Sequence, residues 1–128
     1  MNSDKPRIMY VEDEADIREV AEFALEDEGF DLLICASGES ALQQVSAFSP
    51  DLILLDVMMP LMDGPSTLKL LRELPGHSTT AVVFLTAKVQ PNEVEAYMAL
   101  GALAVIAKPF DPMALPEQIR ELLSRGDV

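Results

Sequence analysis

The sequence predicts an α/β fold, a doubly wound parallel sheet of five strands with helices on both sides. Three observations predict it. Five short runs rich in Val, Ile and Leu recur along the 128 residues, at Ile8 to Val11, Leu32 to Ala36, Leu52 to Leu55, Ala81 to Leu85 and Ala104 to Ala107. Their apolar character is nearly continuous, as suits strands buried on both faces rather than one. The stretches between them carry helical spacing, and strands alternating with helices imply right-handed parallel crossovers. The length is that of one ordinary domain, so residues 1–128 are read as a single unit.

The first helix shows the clearest stripe, because Ile17, Val20, Ala21, Ala24 and Leu25 fall on one face and Gly29 supplies a stop. Ser37 is placed to cap the second, whose inner side is Ala41, Leu42, Val45 and Phe48 and which ends by Pro50. The third runs from about Pro65, with Leu68, Leu71 and Leu74 inward, and stops before Pro75-Gly76. Pro91 suits the first turn of the fourth, which carries Val94, Tyr97 and Met98 and is followed by Gly101. In the fifth, Asp111-Pro112 resembles a cap and first turn. Pro116 lacks an N–H donor, so the regular part starts near Leu115, with Ile119, Leu122 and Leu123 on its inner face.

Composition excludes several functions. Half the residues are apolar (49%) and a quarter charged (24%), as in a globular protein rather than a disordered tail. No apolar run approaches the roughly 20 residues of a membrane span, and Met1 to Arg7 has no secretory apolar core. A cytoplasmic protein without membrane insertion is expected. The net charge of −13, with nine scattered basic residues, disfavours direct nucleic-acid binding. Cys35, the one cysteine, is expected to be a buried inert thiol. His77 reads as a solvated loop residue, and no His or Cys cluster points to zinc. Met59 and Met62 are read as core, while Tyr97 either packs its helix or shows its hydroxyl to a partner.

In a doubly wound sheet, ligands bind beyond the carboxyl ends of the strands. The first strand there ends in Glu12-Asp13, the third in Asp56, the fourth in Thr86 and the fifth in Lys108-Pro109. Carboxylates about 4 Å apart repel by roughly 4 kcal/mol per pair at an effective dielectric near 20, so three together call for a cation or a proton. Mg²⁺ suits a site of a few carboxylates, waters and phosphate oxygens, with Asp13 and Asp56 as oxygen ligands and Glu12 either direct or through water. A carboxylate beside such an ion can attack phosphorus, because positioning and charge neutralisation do most of the work in phosphoryl transfer. Asp56, at the end of an apolar strand, is the candidate nucleophile. Lys108 can pair with a carboxylate at rest and with a phosphoryl oxygen afterwards; the Thr86 hydroxyl can bond another, and small Ala87 leaves room.

These residues together resemble the receiver domain of two-component response regulators. The resemblance spans essentially the whole chain. It rests on Asp56-Val57-Met58-Met59-Pro60-Leu61-Met62-Asp63-Gly64, with Glu12-Asp13, Thr86-Ala87 and Lys108-Pro109-Phe110 in matching order. It implies a flavodoxin-like strand order of 2-1-3-4-5 and a phosphorylation-dependent switch. Asp56 would take phosphate from a histidine kinase or histidine phosphotransfer protein, with Mg²⁺ held by Asp13, Asp56 and the Met58 main-chain carbonyl. It also implies a cis bond before Pro109. The downstream partner is unknown, or else an output domain absent from this chain.

Two departures from the family pattern stand out. Val105 occupies a position, three before Lys108, where relatives often carry a switching aromatic, so helix four, loop motion or order is expected to carry the output instead. Met58 and Lys88 occupy positions that modulate removal of the phosphoryl group. Met58 has no polar group to orient water, and Lys88 either attracts phosphate or bridges the mouth, so self-dephosphorylation is expected to be slow to moderate. A phosphatase of the aspartate-nucleophile class needs a second Asp where Met58 stands. A degenerate receiver, binding partners without phosphate, is expected to lose acidic ligands, Asp56 or Lys108, all of which are present.

Overall fold

The computed structural model describes residues 5–126, so part of the polar stretch from Met1 to Arg7, and the end at Val128, lie outside the described residues. Five strands alternate with five helices: β1 Arg7–Val11, α1 Ala15–Leu25, β2 Asp31–Cys35, α2 Gly38–Phe48, β3 Leu52–Asp56, α3 Gly64–Arg72, β4 Val82–Thr86, α4 Pro91–Ala99, β5 Ala104–Ala107 and α5 Leu115–Gly126. All neighbouring strands are parallel, in the order β2-β1-β3-β4-β5. This is the doubly wound, flavodoxin-like arrangement expected from the sequence.

The continuous apolar runs have the anticipated cause. Alternate residues of each inner strand feed two separate cores. Ile8, Tyr10, Leu52, Leu54, Val83 and Leu85 pack against Ala21, Leu25, Leu115 and Ile119 of α1 and α5. Met9, Val11, Ile53, Leu55, Val82 and Phe84 pack against Ala41, Val45, Leu68 and Leu71 of α2 and α3. Every residue of β3 and β4 is buried, and each such aliphatic side chain contributes about 1.5–3 kcal/mol of transfer free energy.

Side-chain caps mark the starts of α2 and α3. The Ser37 hydroxyl accepts the Ser40 N–H at 3.0 Å, and the Asp63 carboxylate accepts the Ser66 N–H at 2.8 Å, satisfying donors that the first turn of a helix leaves open. Pro65 follows within the first turn of α3. α1 ends earlier than Gly29 suggested. Glu26 is already extended and Asp27 adopts φ of 59°, which Asp tolerates better than most residues.

Several side chains sit differently from expectation. Val20 is 42% exposed, so the buried stripe of α1 is narrower than its spacing implied. α4 has no fully buried residue: Val94 and Tyr97 are half-buried, and Met98 is 42% exposed. Tyr97 packs its ring 5.4 Å from that of Phe84, as the packing reading of this residue expects. Leu74 lies beyond α3 but still packs on the core, and of the two methionines read as core Met59 is buried and Met62 half-buried.

His77 is the clearest correction, being 8% exposed rather than solvated. Its Nδ1 lies 2.9 Å from Thr80 Oγ1 and its Nε2 3.5 Å from Ser46 Oγ on α2. Arg72 donates to the carbonyls of His77 and Thr80 at 3.1 and 2.7 Å, so the turn is tied down from three sides. Cys35 is buried as expected. No helix among the described residues is long and apolar enough to cross a membrane.

Candidate functional site

Four strand ends converge at one edge of the sheet. Asp56 and Thr86 are the last residues of their strands, so the ladder holds their backbones: Asp56 pairs with Leu85, and Thr86 with Ala107. Glu12 follows β1 and donates its N–H to the Cys35 carbonyl at 3.0 Å, while the Lys108 N–H reaches the Thr86 carbonyl at 2.9 Å. The loop after β3 passes very close to the site. A Cβ on Gly64 would lie 2.6 Å from the Asp56 carbonyl oxygen, so only glycine lets α3 start there.

Lys108 is the central cation. Its Nζ lies 3.0 Å from Glu12 Oε1 and 3.2 Å from Asp56 Oδ1, and both carboxylates are almost wholly buried. Burial alone would lower the lysine pKa, but the hydrogen bonds and charges of the two carboxylates outweigh it and raise it above its ordinary value. Burial pushes Glu12 up to about 7, against the opposing pull of Lys108 and of the Glu14 N–H, which donates to Glu12 Oε2 at 3.2 Å. Tyr10, buried beneath the cluster, has its hydroxyl raised by burial and then by the charges of Glu12 and Asp56.

Glu12, Asp13 and Asp56 each offer an oxygen within 4.8 Å of the others. Two buried oxygens, Asp13 Oδ1 and Asp56 Oδ2, have no hydrogen-bond partner, whereas both Glu12 oxygens are engaged. One lysine beside three carboxylates leaves negative charge uncompensated, and two orphaned carboxylate oxygens are the kind of donor a hard divalent ion takes. The residues fit Mg²⁺.

Around this centre, the buried Thr86 Oγ1 accepts the Lys88 N–H at 3.0 Å, which leaves its own proton free to donate. Ala87 and Lys88 are exposed, and Met58 points largely to solvent at 67% exposure. The Lys108-Pro109 bond is cis. Val105 is half-buried beside Phe84 and Tyr97, so that region already holds an aromatic pair. The structure thus brings together Glu12, Asp13, Asp56 and Lys108, with Thr86 on the adjoining strand end.

Sequence reasoning missed Arg18. It lies on α1, five residues beyond Asp13, and its Nη1 donates to the main-chain carbonyls of Glu12 at 3.0 Å and Asp13 at 2.8 Å. Nothing in residue type announces such a bond, because every residue carries a carbonyl.

Comparison with known proteins bears on the family and the fold. The family described as the response regulator receiver domain matches residues 8–120. Over 127 residues, 99% of this chain, the sequence is 37% identical to the DNA-binding response regulator MtrA of Mycobacterium tuberculosis, covering 54% of that protein. Over 123 residues, 96% of this chain, it is 37% identical to the transcriptional regulatory protein CseB of Streptomyces coelicolor, covering 51% of it. The chain therefore spans about half the length of the curated relatives it matches. Among solved structures, the chemotaxis response regulator CheY4 of Vibrio cholerae is similar, with a TM-score of 0.85 and 28% identity over 92% of this chain and 98% of that one. A putative response regulator from Chloroflexus aurantiacus gives a TM-score of 0.84 and 32% identity over 94% and 99% of the two chains.

Proposed function

This chain belongs to the response regulator receiver domain family, and from that premise we propose that it is one receiver domain whose Asp56 accepts a phosphoryl group from the phosphohistidine of a kinase or phosphotransfer protein. The observation that carries the reading is Asp56 itself: a buried carboxylate with Oδ1 held by Lys108 and Oδ2 left without a partner.

Asp13 and Asp56 would hold Mg²⁺ through their unpartnered oxygens, with the Met58 carbonyl, and Glu12 stands behind them with both oxygens already engaged. When bound, the ion supplies neutralisation of the charge on the phosphoryl oxygens. An Asp56 oxygen attacks phosphorus as the P–N bond to the donor imidazole breaks, and the electron pair leaves with the imidazole nitrogen, giving an acyl phosphate. Lys108 moves from Asp56 to a phosphoryl oxygen, and Thr86 donates its hydroxyl to another, with Ala87 small enough to admit the group. Because Lys108 already bonds Asp56, its shift to a phosphoryl oxygen is short.

Output is assigned to the face around Val105, α4 and β5, and from there to a downstream protein or output domain, in the cytoplasm and without direct nucleic-acid contact by this domain. Exposed Met58 offers no polar atom to orient an attacking water and Lys88 adds a charge at the mouth, which favours slow to moderate loss of phosphate. Incubation with acetyl phosphate and Mg²⁺, followed by intact mass, is expected to show one added phosphoryl group on the wild type and none on Asp56→Asn. An unmodified wild type would overturn this reading in favour of a receiver that binds partners without phosphate.

A further inference from the structure

We propose that Arg18 is a positioning residue that presents Asp13 to the metal and so sets the affinity of the site for Mg²⁺. The inference rests on the reading above, in which the acidic cluster holds that ion.

The corner between β1 and α1 carries two of the three carboxylates, yet it lacks the usual fastening of a helix start. The N-cap residue Glu14 makes no side-chain capping bond. What fixes the corner instead is a set of other hydrogen bonds: the Glu12 N–H on the Cys35 carbonyl of the neighbouring strand, the Glu14 N–H on Glu12 Oε2, and the Arg18 guanidinium on two successive carbonyls. A single Nη has two N–H donors, enough for one bond to each carbonyl. Fixing both carbonyls fixes the two peptide planes that flank the Asp13 Cα, and with them the direction in which the Asp13 side chain leaves the backbone.

Asp13 needs that constraint more than its neighbours do. Lys108 bonds Glu12 and Asp56 but not Asp13. Asp13 Oδ1 is buried without a partner while two carboxylates stand within 4.8 Å, so repulsion favours swinging it away from the cluster. Arg18 opposes that swing from behind, through the backbone, without occupying the oxygen that the ion needs. It is half-buried on α1, whose inner face is packed against the sheet, so the tether is anchored on a rigid element.

The sign of one substitution separates this role from a simple charge effect. Removing a positive charge near a cation site strengthens binding on electrostatic grounds alone, whereas removing a tether weakens it. Arg18→Met keeps the aliphatic stem and deletes the donors. Mg²⁺ affinity is measured by calorimetry and by backbone amide shifts on wild type, Arg18→Met and Arg18→Lys, and phosphoryl loading from acetyl phosphate is followed against Mg²⁺ concentration. The expected result is about tenfold weaker Mg²⁺ binding in Arg18→Met. Its loading is expected to recover to the wild-type extent at saturating Mg²⁺, with Arg18→Lys intermediate. Unchanged or tighter binding in Arg18→Met overturns the proposal, as does loss of its dispersed amide spectrum before Mg²⁺ is added, which would make Arg18 a structural strut. A wild type that binds no Mg²⁺ overturns the functional reading itself, so the two failures are distinguishable.

Discussion

The inner strands and the α4–β5 flank of this molecule are packed to different degrees. In β3 and β4 every side chain is buried, including the polar Asp56 and Thr86 at their ends. α4 buries none of its nine residues, and β5 buries only Ile106. Both regions border the same pocket: Lys108 follows β5 directly, and Thr86 lies one strand over. The contrast teaches that the two tasks of a switch want opposite mechanics. Phosphoryl chemistry needs atoms held within fractions of an ångström, while a readout needs a segment that moves for little free energy.

Four substitutions and one exchange experiment break or sharpen that contrast. The largest effect is expected from Phe84→Ala in β4, which removes a fully buried ring and should cost about 3–5 kcal/mol in urea unfolding. A loss under about 1 kcal/mol would mean that the centre is no better packed than the flank.

Next comes the pocket's own titration. Glu12, raised from 4.5 to about 7 in the folded state, keeps a proton that the unfolded chain has already lost. In Mg²⁺-free buffer its contribution therefore makes the protein less stable as pH rises from about 5 to 7, and flat above that. The urea midpoint of the wild type should fall across this window and that of Glu12→Gln should fall less; parallel profiles would refute the assignment.

Binding of a beryllofluoride phosphomimic should then change amide exchange in α4 and around Val105 by about tenfold while leaving β3 unaltered; an unchanged flank would remove it as the output face. Met58→Asn, which gives the mouth a polar group, should shorten the phosphoryl half-life several-fold, on the order of 1 kcal/mol in barrier, as read by intact mass over time. Smallest of all, Met98→Ala on the exposed side of α4 should shift stability by no more than about 0.5 kcal/mol.

The parts of the molecule that the sequence announces are those where one physical demand acts on consecutive residues. Burial on both faces writes itself as an unbroken apolar run, so the five strands were legible, and parallel topology then carries Glu12, Asp13, Asp56, Thr86 and Lys108 to one edge. What stayed hidden depends on distant neighbours. Pro75-Gly76-His77-Ser78 has the residues of an open turn, and His77 is buried because Ser46, 31 residues away, comes alongside it. The spacing in α4 defines a face containing Val94, Tyr97 and Met98, but not whether anything covers it. Arg18 engages backbone carbonyls, which leave no trace in residue type.

The strand order has a consequence for what holds the acidic cluster together. Strands β2, β1 and β3 are adjacent in the sheet and all belong to the first half of the chain, so all three acidic residues come from that half. Lys108, their counter-ion, follows the last strand at the far edge. The acidic mouth and its lysine are therefore joined across 96 residues of chain at Glu12 and 52 at Asp56, through contacts that depend on the edge strand being paired. Pairing of the edge strand thus both completes the sheet and brings in the lysine that holds Glu12 and Asp56, so whatever loosens that edge also loosens the grip on Asp56.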